Sequence, residues 1–182
     1  MEGLLKAYKR FVALPWTGGI AAQQRVWFAL YEPHDERRLR LRIGAFEEVT
    51  IRAGHGWLAC NLTDEFAHWM ASQEYRESYF ESPDTLVRAK LSRFADHVAD
   101  VVRRTLESPE ANEGTVFAIY GVSSLFGLVR VSYLLEKVSP CIRGRLLVFF
   151  PGEYDNGNYR LLDARDGWNY LAIPISAQEG AR

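Results

Sequence analysis

The residues best suited to chemistry stand in a polar loop behind the most continuous apolar run of the chain. That run is residues 146–150, and Pro151 and Gly152 after it predict the end of a strand, because proline cannot donate to a ladder and glycine permits a turn. The loop is residues 153–158 and contains an Asn-Gly turn signal. Because ligands bind at the carboxyl ends of parallel strands, this loop is the first candidate site. A well-capped surface turn would have the same composition.

A second loop, residues 121–127 (GVSSLFG), lies between a predicted strand and a predicted helix, as a phosphate-binding loop would. Its spacing is wrong and Leu128 stands at the lysine position, so the chain has no Walker A motif. The three glycines of a dinucleotide fingerprint are also missing. Ser123 and Ser124 lack the glycine-flanked nucleophile elbow and are typical helix caps. The pattern argues against a nucleoside triphosphatase and leaves open a weak anion site on the amides from Gly121 to Ser124.

Metal-binding patterns are missing as well. None of the histidines has a second histidine or cysteine at helical ligand spacing; they are His34, His55, His68 and His97. Four carboxylates near the chain's end would converge on a cation only if their loops meet, and their spacing matches no calcium loop; they are Glu153, Asp155, Asp163 and Asp166. We therefore expect no catalytic residue, no metal and no cofactor, and a protein that is not an enzyme.

Charged and aromatic side chains favour a binding module instead. Four arginines lie mostly on the outer side of one predicted helix, where they form a solvated face or contact phosphates or an acidic partner; they are Arg37, Arg38, Arg40 and Arg42. The formal net charge of −1 argues against a surface devoted entirely to nucleic acid. Aromatic residues recur in loops beside charges, as at interface hot spots, although many of them could fill the core.

Apolar periodicity predicts alternating strands and helices. Strands are predicted at residues 25–31, 56–62, 115–120, 146–150, 159–162 and 168–175. Helices are predicted at residues 3–14, 35–53, 82–106 and 123–138, with a short helix capped by Thr63. This order predicts an α/β fold: a three-layer, mostly parallel sheet, Rossmann-like or P-loop-like, with helices on both faces and an antiparallel edge made by the last two strands.

Length and composition predict one domain, residues 1–176, followed by a frayed tail, residues 177–182. The hydrophobic fraction of 48% is sufficient for a core. Cys60 and Cys141 are far apart and each adjoins an apolar run, which favours buried free thiols in a reducing compartment. Charged residues interrupt the N-terminal apolar pattern, so no signal peptide is predicted, and no apolar run is long enough to cross a membrane. We expect a cytoplasmic protein without membrane contact.

Several segments, in this order, resemble one family: LPW at residues 14–16, RVWFALYEPHDERRLRLR at 25–42, EYRESYFESP at 74–83, GVSSLFG at 121–127 and, above all, residues 143–175. The chain resembles BrxB, a small component of the BREX bacteriophage-defence systems of bacteria. The resemblance implies that it works beside a methyltransferase, a large ATPase and PglZ, a protein similar to alkaline phosphatases. It implies assembly with these partners, PglZ foremost, and it brings no catalytic residue.

Three hypotheses follow. The first is a non-catalytic assembly subunit that binds the PglZ-like protein, with the BREX ATPase as a further candidate partner. The contact side chains are chosen for residue type and expected exposure: Tyr154, Asp155, Trp168, Arg76 and Tyr79. The alternative is a nucleic-acid-binding module of the same system that uses Arg37, Arg38, Arg40 and Arg42. The third is a degenerate nucleotide-binding domain at residues 121–124.

Overall fold

The computed structural model describes residues 1–86, 88–162 and 167–177, with Arg88 and Ala89 described by their backbone alone. Seven α-helices and seven strands are formed by these residues, and the strands make one open, mostly parallel sheet. The strands are β1 Val26–Tyr31, β2 Gly56–Asn61, β3 Thr115–Tyr120, β4 Arg145–Asp155, β5 Asn158–Leu161, β6 Trp168–Asn169 and β7 Ile173–Ile175. The predicted α/β class is confirmed.

The main sheet has the strand order β2-β3-β4-β1-β7, and every neighbouring pair in it is parallel. Its central strand, β4, pairs with β1 from Val26 opposite Leu146 onward and with β3 from Val116 opposite Arg145 onward. Successive side chains of a strand point to opposite faces, so β4 supplies apolar residues to both sides. Its first seven residues are all buried.

Helices cover both faces of the sheet. One face is covered by α1 Glu2–Val12, α2 Glu36–Arg40 and α3 Ile43–Arg52, and its core contains Tyr8, Trp27, Phe46 and Phe149. The other face is covered by α4 Glu65–Ala71, α6 Arg88–Leu106 and α7 Val131–Val138, and its core contains Phe28, Phe94, Leu135 and Phe150. The remaining helix, α5 Arg76–Glu81, buries no residue. No helix among the described residues is long and apolar enough to cross a membrane.

The predicted end of β4 at Pro151 is wrong. The strand continues to Asp155. Pro151 lies within it: this residue is the last in register with β1, and its carbonyl accepts a hydrogen bond from the amide of Leu162 at 2.8 Å. At the next residue, a Cβ on Gly152 would stand 1.9 Å from the carbonyl oxygen of Arg160. Glycine is therefore required there for close pairing with β5, not for a turn.

The last two predicted strands do pair antiparallel, through Tyr159 opposite Trp168, but the strand predicted at residues 168–175 is divided into β6 and β7. β5 pairs antiparallel with the end of β4 and with β6, and this arrangement lies off the main strand order. The edge itself is β7, which runs parallel to β1 with Ile173 opposite Trp27. At the opposite edge, β2 is half exposed, although its composition predicts burial on both faces.

Three predicted helices are interrupted. The helix predicted at residues 35–53 divides into α2 and α3, since Leu41 and Arg42 close one helix and open the next. The helix predicted at residues 82–106 begins instead with a 3-10 turn, Pro83–Thr85, before α6. The helix predicted at residues 123–138 is a 3-10 turn, Val122–Leu125, followed by α7, because Gly127 has a φ of 77° that no helix contains.

Candidate interaction surface at the carboxyl edge

The loop at Gly121 does not form the helix-start site that its sequence predicts. Gly121 has a φ of 79°, and a Cβ there would meet the Thr63 hydroxyl at 2.5 Å and the Thr63 amide at 2.7 Å. A four-residue 3-10 turn follows, and no side-chain hydrogen bond within the described part of the chain caps it. Thr63 does not cap α4 either, since its hydroxyl is buried and makes no hydrogen bond to the described residues. Close packing of the loop at Gly121 against the loop at Thr63 explains why residue 121 is a glycine.

The predicted polar loop, residues 153–158, is the tip of a tight hairpin, in which residues 153–155 belong to β4 and Asn158 begins β5. Asp155 and Asn158 are opposite each other, and the two residues between them, Asn156 and Gly157, have φ values of 49° and 86°. Two consecutive positive φ values are the geometry for which Asn-Gly is preferred in two-residue hairpins, so the predicted turn is confirmed. The strand before the turn presents the exposed side chains of Tyr154, which is 43% exposed, and Asp155.

Trp168 lies on β6, which pairs with the hairpin strand β5, and its side chain faces inward. Its ring lies 5.6 Å from Phe150, 6.0 Å from Tyr159 and 6.1 Å from Phe28, measured between ring centroids. Its indole nitrogen is buried and makes no hydrogen bond to the described residues. Tyr154 joins the same cluster, 4.6 Å from Tyr159. Trp168 is therefore mainly a packing residue that leaves part of its surface accessible.

A groove of about 1040 Å³ lies beside Trp168. Its walls are the first turns of α6, the loop before α7 and the hairpin, and they include Leu91, Phe126, Arg130, Tyr133, Leu161 and Trp168. Phe126 is 45% exposed at its rim. Ligand sites in α/β proteins lie outside the carboxyl ends of the strands, and this groove lies between segments that follow β3 and β4. Among the described residues, the groove is lined mainly by apolar and aromatic side chains with Arg130 as the charged residue, a composition typical of binding grooves.

The short helix α5 carries the other two predicted contact residues. Arg76 donates to the carbonyl of Ala71 at 2.9 Å and pairs with Glu77 at 3.3 Å, so its guanidinium holds α5 against the end of α4. Tyr79 is half buried against the core, with the ammonium of Lys90 at 5.6 Å from its ring centroid. Sequence reasoning missed Phe80, which is 67% exposed and belongs to a stretch with no buried stripe.

The predicted contact residues thus form two groups. Tyr154 and Asp155 belong to the hairpin, Trp168 lies beside them on β6, which pairs with β5, and Arg76 and Tyr79 belong to α5. No hydrogen bond or ring contact joins the two groups within the described part of the chain.

The four arginines lie on α2 and on the link to α3, and all are exposed. Three have carboxylate partners: Arg38 pairs with Asp35 at 3.2 Å, Arg40 with Glu36 at 2.9 Å and Arg42 with Glu2 at 3.7 Å. Arg37 makes no ion pair with the described residues. Nearby carboxylates reduce the positive potential of this surface, which weakens its attraction for phosphates.

Among the described residues, the titratable side chains form no metal-binding centre. Two of the four carboxylates considered as cation ligands, Asp163 and Asp166, lie outside the described residues, and no metal-binding group of three or more is found within them. The imidazole of His97 lies 3.2 Å from the carboxylate of Glu65, which links α6 to α4.

Comparison with known families decides the identity of this chain. A family model described as "BREX protein BrxB" matches residues 60–175, which is well over half of the chain. The chain belongs to the BrxB family. Membership places it in BREX phage defence, as the resemblance implied. No curated protein and no solved structure matches it.

The match to the BrxB family covers the surfaces described at the carboxyl edge. The hairpin, the groove and α5 all fall within residues 60–175, whereas α2 and its arginines precede them. The family match therefore includes every predicted partner-contact residue and none of the predicted nucleic-acid contacts.

Proposed function

We propose that this chain is a non-catalytic assembly subunit of a BREX phage-defence complex and that it binds the PglZ-like protein of the same system. Family membership supports a role inside that system. The nature of the surface supports a role in assembly, because aromatic side chains and an apolar groove are typical of contact sites between proteins.

The observation that carries this proposal is the groove at the carboxyl edge with exposed aromatic residues around it. Phe126 stands at the rim of the groove, and Tyr154 lies on the hairpin that forms one wall. Removing such side chains from water would contribute about 25 cal/mol for each Å² of apolar surface, which is a larger gain than exposed ion pairs offer. Burial of these aromatic side chains against a macromolecular partner is therefore more favourable than their exposure to solvent.

The proposal is tested by affinity capture with purified components. A tagged form of this chain should retain the PglZ-like protein of its own operon, with the BREX ATPase offered separately as the second partner. Retention that persists at moderate salt is expected, because the surface is mainly apolar. Failure to retain either protein, with all components folded, would contradict the assembly role.

The alternative function is nucleic-acid binding through Arg37, Arg38, Arg40 and Arg42. It is favoured by one observation, the exposure of all four guanidinium groups on one short segment. Binding that weakens steeply with salt and that is lost in the Arg37→Ala/Arg38→Ala variant would support it. Binding that is unchanged in this variant would exclude this site.

A further inference from the structure

The two edges of the main sheet differ in how they are protected. One edge is β7, which has three residues with Pro174 at its centre. The other edge is β2, which has six residues without a proline, a charge or a break in its register with β3. Short length, proline and charge are the devices that keep an edge strand from pairing with another strand. Since β2 has none of them, its outer side is open to a further strand.

The hydrogen bonds of β2 determine which of its backbone groups face outward. The amide of Gly56 donates to the carbonyl of Gly114 at 3.0 Å, and the amide of Leu62 donates to the carbonyl of Tyr120 at 2.9 Å. In a parallel ladder this places the even-numbered residues from 56 to 62 in hydrogen bonds with β3, because alternate residues of a strand bond to opposite sides. The odd-numbered residues direct their N–H and C=O groups away from β3; they are Trp57, Ala59 and Asn61.

These outward groups have no protein partner in the described parts of the chain. No hydrogen bond within residues 1–86, 88–162 and 167–177 reaches the backbone of any of the three. Ala59, in the middle of the strand, and Asn61, at its end, are both exposed. Three donors and three acceptors at strand spacing are complementary to one other strand, which adds to a sheet edge through its main chain. The outer side of β2 therefore fits an extended segment.

The strand is also complementary to a second copy of itself. When two copies of β2 pair antiparallel with Ala59 opposite Ala59, Trp57 lies opposite Asn61 and Leu58 lies opposite Cys60. Each outward-pointing residue then meets an outward-pointing residue and exchanges two hydrogen bonds with it. On the other face, Leu58 and Cys60 extend the apolar core that they already contact. No like charges meet across the pair, because β2 carries no charge.

We infer that the outer edge of β2 is a self-association site, at which two copies of this chain pair antiparallel and join their sheets into one. The contact is isologous, with its two-fold axis at Ala59. It goes beyond the proposed function and does not depend on it, because β2 contributes no residue to the groove. A contact based on one pair of strands is at the small end of specific interfaces, so the dimer is weak and separates at the dilution of a sizing column.

Sedimentation equilibrium of the full chain measures this association. The weight-average mass should rise from the chain mass of 20.8 kDa toward twice that value as the concentration increases from about 1 µM to about 1 mM, the range of weak binding. A mass that stays at 20.8 kDa throughout would overturn the inference, even if a strand of another protein proved to occupy the edge.

Two charge variants test the register of the pairing. Ala59→Lys and Ala59→Glu should each abolish association, because the two-fold axis places like charges directly opposite each other. An equimolar mixture of the two variants should associate again, since opposite charges then meet. Ala71→Lys, the same change at an exposed alanine at the end of α4, should leave association unchanged. Association of either Ala59 variant alone, or a mixture that stays monomeric, would overturn this register.

A proline variant tests the backbone contribution. Ala59→Pro removes an N–H that points away from β3, so circular dichroism should show the same fold. The Kd of the dimer should rise at least about tenfold, because the central pair loses both of its hydrogen bonds. An unchanged Kd would show that β2 is not the contact. Capture of the PglZ-like protein by this variant should be unaffected, so failure of this inference is distinguishable from failure of the proposed function.

Discussion

At the scale of single residues, one buried hydrogen bond joins the two largest helices on one face of the sheet. The Tyr8 hydroxyl of α1 donates to the Thr50 hydroxyl of α3 at 2.6 Å, and the Thr50 hydroxyl donates in turn to the carbonyl of Phe46 at 2.8 Å. Both side chains are fully buried. Burial raises the pKa of the Tyr8 hydroxyl well above its ordinary value, so the group stays protonated in the folded protein.

Replacing these two residues should have unequal effects on stability. Tyr8→Phe removes one donor while Thr50 keeps its backbone acceptor, so the free energy of unfolding should fall by about 1 kcal/mol. Thr50→Val leaves the Tyr8 hydroxyl buried without its acceptor and should lower it by about 1–3 kcal/mol. Urea denaturation measures both, and the double variant should lose less than the sum of the two. Strict additivity would contradict this arrangement.

The two cysteines should differ in reactivity. Both are free, as expected, but Cys60 is buried and Cys141 is only half buried. Burial raises the pKa of the Cys60 thiol to about 11, so little thiolate forms at neutral pH. A disulfide-exchange reagent should label Cys141 first and Cys60 only after unfolding. Equal labelling rates in the native protein would show that Cys60 is accessible.

At the scale of elements, the hairpin at the end of β4 depends on a glycine that sequence patterns misassign. Pro151 and Gly152 predict the end of a strand. In the structure, the backbone of β5 approaches Gly152 so closely that only a glycine permits pairing of β4 with β5. The distance between the backbones of the paired strands β4 and β5 cannot be obtained from local composition, so this role needed the structure.

A pair of glycine substitutions tests that role. Gly152→Ala would place a methyl group against the carbonyl oxygen of Arg160, so the free energy of unfolding should fall by at least about 2 kcal/mol. Gly44→Ala, within α3 and with no atom within 4 Å of the added carbon, should raise it by about 0.5–1 kcal/mol. Thermal unfolding distinguishes the two, and similar shifts in the same direction would contradict the close approach.

The positions of β1, β2, β3 and α1 could be predicted from the sequence because buried strands and amphipathic helices have distinct periods, whereas β4 runs past its predicted end and the strand predicted at residues 168–175 is divided. Helix interruptions could not be predicted. The inward stripe of residues 35–53 continues across the break at Leu41 and Arg42, since Leu39 and Phe46 are both buried on the same face. Local periodicity is insensitive to such a break because both halves pack against one sheet.

The candidate surface was predictable in composition and only partly in geometry. Tyr154 and Asp155 are exposed as the sequence suggested, because a two-residue hairpin turn displays the residues beside it. Trp168 is half buried because the hairpin folds its ring against Phe28 and Phe150. Phe80 is exposed because α5 buries none of its residues. In the sequence, only the acidic residues beside Phe80 indicate this exposure.

At the scale of the whole molecule, alternation of strands and helices was sufficient to predict three layers. The strand order was not predictable, because the first strand of the chain, β1, lies between β4 and β7 and the connections cross both faces of the sheet. This order leaves the segments after β2, β3 and β4 to form α5, the groove and the hairpin. The surface that we propose for assembly is thus built from the connections of the sheet, while the sheet itself remains covered.

The most direct test of this account is the mass of the complex in solution. Co-expression with the PglZ-like protein of the same operon, followed by light scattering behind a sizing column, should give one species with the summed mass of the two chains. Elution of the two proteins as separate, folded and monodisperse species would contradict the claim that this chain assembles with that partner.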